Sequence, residues 1–215
     1  MFDLHTHTTI TDGELIPTEL VRRMAVAGYK TVAITDHADF SNYKEIIAAS
    51  EAIKRSASVY GVNLLSGIEI THVPPSEIDE LAKLAKDAGA DIVVVHGETT
   101  VEPVAGGTNL AACSSKYVDI LAHPGLIADN AVKAAVDNGI ALEITSRGGH
   151  NRTNGHVFAA AKRLGCICVV DSDSHSPDDI MSMSERVVVA RGAGMTPAEA
   201  ETVLSLKTLN RILGK

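Results

Sequence analysis

Three cysteines among 215 residues, Cys113, Cys166 and Cys168, are too few and odd in number for a disulfide framework. Cys166 and Cys168 lie in the apolar run CICVV, which reads as buried, reduced thiols. Long apolar stretches are also missing. None approaches the roughly 20 residues of a membrane span, so no membrane association is expected. An excess of basic charge is absent too: 19 Lys and Arg stand against 27 Asp and Glu, a net charge of −8. That balance argues against non-specific affinity for nucleic acid or anionic lipid, so no stable nucleic-acid partner is expected. Met1 leads almost directly into the patterned stretch FDLHTH, leaving no room for a cleavable signal, and a cytoplasmic protein is expected. What the chain does have is 45% hydrophobic residues, enough for a sizeable core, and nine histidines, many for this length.

One rhythm recurs: a helical stretch, a glycine, then a short apolar strand. ELVRRMAVAGYKTVAITDH shows it first, with Gly28 placed to end a helix in the left-handed conformation. Gly61, Gly89, Gly139 and Gly165 repeat the device, and KYVDILAHP adds a strand without it. Counting FDLHTH as the first, the pattern predicts seven strands rich in Val and Ile. Nearly continuous apolar runs suit parallel strands buried on both faces, with helices as the crossovers. The chain is therefore α/β, a barrel or an open sheet. No linker or low-complexity segment interrupts it, so residues 1–215 are expected to form one domain. TPAEAETVLSLKTLNRILGK reads as a closing helix with Thr196 as N-cap and Pro197 at the first helical position, and ERVVVARG before it as a short extra strand.

Polar residues gather at the carboxyl ends of these strands, where parallel α/β folds assemble their sites. His5 and His7 end the first strand and His37 the second; Glu69, His96 and His123 end the third, fourth and fifth; Asp173 and His175 follow the seventh. Residues i and i+2 of a strand share a face, so His5 and His7 can address one cavity, as can Asp173 and His175. Asp12, in a Thr-Asp-Gly turn, can bend back over the same rim. Imidazoles and carboxylates together suit zinc, manganese or iron without cysteine. Burying so many ionisable groups without a cation is costly, so the set reads jointly as a metal cluster.

DLHTHT, ITDH, GIE, VHG, AHP and DSDSH, in this order, resemble the PHP (polymerase and histidinol phosphatase) family over essentially the whole chain. The resemblance implies a distorted seven-stranded (β/α)7 TIM-like barrel, a single PHP domain, and three divalent metal ions. It implies His5, His7, Glu69 and Asp173 around one ion, and Glu69 bridging to a second held by His96 and His123. A third would rest on Asp12, His37 and His175, with Asp12 standing where some members carry histidine. The carboxylate makes that site harder, favouring manganese or iron over zinc there, and partial occupancy is in keeping with it. The implied reaction is hydrolysis of a small phosphate monoester, histidinol phosphate-like or nucleotide-like, by metal-activated hydroxide, with Glu69, Asp173 and His175 catalytic.

Around that cluster, Arg147 and Arg152 in EITSRGGHNRTNGH are candidates to bind the substrate phosphate, with His150 and the two glycines completing a loop. Asp36 and Glu98 read as supporting hydrogen-bond partners or proton carriers, and His72 and His156 as structural or surface residues. Two alternatives remain. An amidohydrolase-like enzyme acting on a C–N or lactone bond also begins with His-x-His, but DIVVVHG lacks the lysine such enzymes commonly carry. A non-catalytic PHP-like subunit, such as the related barrel of ribonuclease P, is expected to favour a basic surface and an incomplete ligand set. This chain is acidic and keeps every ligand.

Overall fold

The computed structural model describes residues 1–214; Lys215, the last residue of the expected closing helix, lies outside the described residues. Strands β1 (Phe2–Asp3), β2 (Thr31–Ile34), β4 (Asn63–Ile70), β5 (Ile92–His96), β6 (Ile120–Ala122), β7 (Ala141–Thr145) and β8 (Cys168–Asp171) pair in that order, all parallel. A two-residue piece, β3 (His37–Ala38), continues the line of β2 and pairs with β4. The chain ends of the sheet meet: His7 N donates to Ser174 O at 2.9 Å and Asp173 N to His5 O at 3.0 Å. The result is a nearly closed, distorted (β/α)7 TIM-like barrel, the closed form of the two that the strand rhythm allows and the one the PHP resemblance implies.

Helices α1 (Pro17–Val26), α2 (Tyr43–Val59), α3 (Ile78–Asp87), α4 (Thr108–Ser114), α5 (Asp129–Asn138) and α6 (Asn154–Leu164) are the crossovers. Their apolar stripes bury residues such as Leu81, Ala85, Val132 and Ala161 against the outer faces of the strands, the larger core layer. Gly139 and Gly165 end α5 and α6 at φ of 68° and 80°, a conformation closed to most side chains. The barrel interior is a second layer, built by Phe2, Leu65, Ile92, Ile120, Ala141 and Val169 from the strand starts.

The chain end departs from the sequence reading. ERVVVARG is helix α7 (Met183–Gly192), not a strand. Ser182 and Glu185 form a capping box at its start, and the helix lies outside a sheet whose neighbours are already paired. The predicted closing helix is two, α8 (Pro197–Val203) and α9 (Leu206–Leu213). Thr196 caps α8 as expected, accepting from Glu199 N. Leu209 and Ile212 of α9 join the interior layer and cover the amino end of the barrel. Among the described residues no helix is long and apolar enough to cross a membrane.

Candidate metal centre

At the opposite end, the rim residues converge on one cavity of about 420 Å³. Glu69, at the end of β4, is fully buried, and four imidazoles surround its carboxylate. His37 Nδ1 lies 2.8 Å from it, His5 Nε2 3.4 Å, His123 Nε2 3.5 Å and His7 Nε2 3.6 Å. Asp173 faces the same group from just after β8, 3.3 Å from His7, 3.7 Å from His5 and 3.6 Å from His123. His5 Nε2 and His7 Nε2 stand 3.1 Å apart. Asp12 Oδ2 is 3.4 Å from both His37 Nε2 and His175 Nε2. Most of these separations are too long for good hydrogen bonds. They match instead the edge of a coordination shell, because ligands at about 2.1 Å around a tetrahedral ion sit about 3.4 Å apart. Glu69 Oε1 and the Nδ1 atoms of His7, His96 and His123 are buried without a hydrogen-bond partner, as expected of a donor set built for cations. The residues fit divalent metal ions.

The electrostatics follow from burial opposed by charge. Burial disfavours the His5 imidazolium, yet Glu143, Asp173 and Glu69 together hold its pKa well above the usual value. Burial penalises the Glu69 carboxylate too, but His5, His123 and His37 hold its pKa well below normal. His37 likewise loses by burial and gains more from Glu69, reaching about 9. Without cations, protons on these histidines balance the carboxylates.

Neighbouring groups aim the rings. Glu143, buried on β7, accepts from His5 Nδ1 at 2.7 Å, which turns His5 Nε2 toward Glu69 and Asp173, and it accepts from His123 N at 2.9 Å. His175 Nδ1 donates to Asp173 O at 3.0 Å, leaving Nε2 for Asp12. Asp36 accepts from Thr8 N, Thr8 Oγ1 and Thr11 Oγ1, each at 2.7 Å, and so shapes the loop carrying His7 and Asp12. Glu98 is used elsewhere: it accepts from Gly107 N and Asn109 N at the start of α4.

All nine ligand candidates are brought together, with one difference in detail. His96 points its Nε2 at Glu102 Oε1, 2.9 Å away, rather than at Glu69. Arg147 lines the cavity and pairs with Asp179 at 3.3 Å; Arg152 is exposed and does not line it. His156 is structural, bonded to Ile127 O at 2.9 Å, as expected. His72, expected to be structural or surface, lines the cavity, as do His150 and Glu102. Sequence reasoning missed Glu143 and Glu102. ALEIT repeats the pattern of GIEIT, a lone carboxylate in an apolar strand, and that signal marks Glu143. Glu102 sits in a loop with no such signal.

Comparison with known proteins places this barrel. Residues 1–147 match the family described as RNase P subunit p30. The chain belongs to that family. It is 49% identical over 205 residues to an uncharacterized protein of Methanocaldococcus jannaschii, covering 94% of both chains. A Thermoanaerobacter sp. protein assigned as a phosphatase is 26% identical over 225 residues, covering 91% of this chain and 87% of that one. DNA polymerase/3′-5′ exonuclease PolX of Bacillus subtilis is 24% identical over 229 residues; the match covers 98% of this chain but 40% of PolX. Among solved structures, a chain of archaeal ribonuclease P with mature tRNA shares the fold at TM-score 0.73, 17% identity and coverage of 100% and 90%. A Listeria monocytogenes protein assigned as a histidinol phosphatase shares it at TM-score 0.65, 13% identity and coverage of 86% and 99%. The PHP-like fold expected from the motifs is thus present in a chain of the p30 family, the relative that acidity and a full ligand set had ranked lower. Net charge averages over the whole surface and says little about which family a barrel belongs to.

Proposed function

We propose that this protein is a metal-dependent phosphoesterase acting on small phosphorylated substrates. The observation that carries the reading is the spacing of donor atoms around Glu69, at coordination-shell distances, with Glu69 Oε1 buried and unpartnered and the His5 ring anchored through Nδ1 on Glu143. His5, His7, Glu69 and Asp173 would hold one ion, His123 with Glu69 and His96 a second, and Asp12, His37 and His175 a third. Bound there, divalent ions supply an activated water and charge neutralisation of a phosphoryl group. The chain itself contributes position and charge. Arg147, steadied by Asp179, offers a guanidinium to a phosphate dianion entering the cavity. Asp179 also accepts from His175 N at 2.9 Å, so phosphate-binding and ligand positions share one anchor. Relatives assigned as phosphatase and exonuclease support phosphoester chemistry.

The test is elemental analysis of the purified protein with a phosphoester panel containing histidinol phosphate and 3′,5′-nucleoside bisphosphates. Glu69→Gln is expected to lower hydrolysis by at least about a thousandfold, the scale of removing a principal charge-stabilising group, while the fold is kept. Metal-free protein with intact fold, or full activity in Glu69→Gln, overturns the reading.

Family membership favours a second reading, a subunit that works with a structured RNA. Ribonuclease P RNA recovered with the tagged protein, and metal-loaded protein inert on the whole panel, would establish it in place of the first.

A further inference from the structure

His72 and Glu102 are cavity donors that neither the PHP resemblance nor the proposed hydrolysis uses. His72 follows β4 at φ 55°, a left-handed conformation that non-glycine residues avoid. Among the described residues only His123 and Asp173 share a positive φ without being glycine, and both face the Glu69 cluster. Among the described residues, positive φ outside glycine is thus confined to donors that line the cavity, the kind of place where such strain clusters. The left-handed turn brings the His72 ring within 4.9 Å of His96 and its Nε2 within 3.7 Å of Glu102 Oε2. Glu102 arrives from the loop between β5 and α4, and its Oε1 is 2.9 Å from His96 Nε2. The two spacings to the Glu102 carboxylate, 3.7 and 2.9 Å, lie on either side of the edge of about 3.4 Å expected around a tetrahedral ion, and the donor atoms of all three residues lie within 4.8 Å of one another.

We propose that His72, His96 and Glu102 form a further divalent-cation site on the open side of the cavity, beside the Glu69 cluster, with His96 serving this ion through Nε2 and the second ion through its buried, unpartnered Nδ1 as a bridging imidazolate. Two imidazoles and one carboxylate select a borderline ion such as Zn²⁺ or Mn²⁺ rather than Mg²⁺ or Ca²⁺. Three protein ligands leave one position open to water or to an anion oxygen. The His72 and Glu102 side chains are 46% and 39% exposed, against 0% for His5 and Glu69, so the ion here exchanges with solvent and binds more weakly. Arg147 lines the same cavity, so an anion bound there meets positive charge from both.

The experiment strips the whole protein with chelator, dialyses it against graded MnCl₂, and counts bound Mn²⁺ by elemental analysis and electron paramagnetic resonance. Wild type is expected to take one more equivalent than His72→Ala/Glu102→Gln, in a weaker step. The tighter step is expected to be unchanged. Coinciding isotherms and spectra overturn the proposal and leave Glu102 as a plain hydrogen-bond partner of His96. Both positions are partly exposed, and circular dichroism checks the fold; His72→Ala alone, expected to weaken this step at least about tenfold, serves if the double variant aggregates. No substrate enters the measurement, so a protein that binds this ion yet hydrolyses nothing leaves the inference standing.

Discussion

Glu69 and Glu143 occupy the same local pattern, Glu-Ile-Thr closing an apolar strand, yet the barrel gives them different tasks. Glu69 meets four imidazoles directly, whereas Glu143 lies behind His5 and fixes which ring nitrogen faces the cluster. A carboxylate behind a ligating histidine sets its tautomer and raises its basicity. Glu143→Gln is therefore expected to weaken metal binding about 10- to 100-fold while secondary structure is retained. Competition with a chelating dye measures it; unchanged affinity would show that His5 needs no such anchor. His150 illustrates the other pole of the same chemistry. Burial pushes its pKa down to about 4, with His123 adding to the effect, so it enters the cavity as a neutral imidazole.

At the scale of elements, the site depends on how closely rim loops approach one another. Gly97 directly follows β5, which ends at His96, and Gly125 lies two residues after His123, just past the end of β6. A Cβ at Gly125 would stand 1.9 Å from Glu98 O, and the residue's φ of +61° adds strain for any side chain. Gly125→Ala is expected to cost more than about 1 kcal/mol of stability, because the native conformation is closed to alanine. It is also expected to weaken metal binding by moving His123. Urea unfolding checks the first and a metal titration the second; a variant with wild-type midpoint would show that the loop relaxes freely. The helix α7 shows the limit of local reading. Its Val-rich run has strand propensity, and a capping box with an already paired sheet overrides it.

For the whole molecule, closure rests on a buried charge. Arg186 of α7 is 1% exposed, lies 3.3 Å from Asp3 and donates to Val170 O, tying β1 to β8 beneath the metal centre. Burial raises the Asp3 pKa and the Arg186 charge counters it; burial together with Asp3 and Glu143 holds Asp171 well above the ordinary carboxylate range. Breaking a buried pair from one side leaves an uncompensated charge. Arg186→Met is expected to cost about 3–5 kcal/mol, and Asp3→Asn in the same chain to recover part of it. Chemical denaturation of the two variants decides; equal loss in both would mean that Arg186 acts by packing alone.

The sequence by itself determined the seven-strand α/β rhythm and the rim positions of the ligand candidates, because strand periodicity and strand ends are local properties. His5, His37, Glu69 and Asp173 were legible for that reason: each lies at or just past a strand end in a motif of its own. Whether the sheet is open or closed was decided only where the first strand meets the last. Three further things waited for the tertiary structure. Glu102 reaches His96 across a loop, Glu143 reaches His5 across the barrel, and Arg186 enters the β1–β8 seam from a helix 183 positions after Asp3. No pattern in the chain encodes such pairings, since a loop's path and a barrel's closure are set by packing between segments distant in sequence.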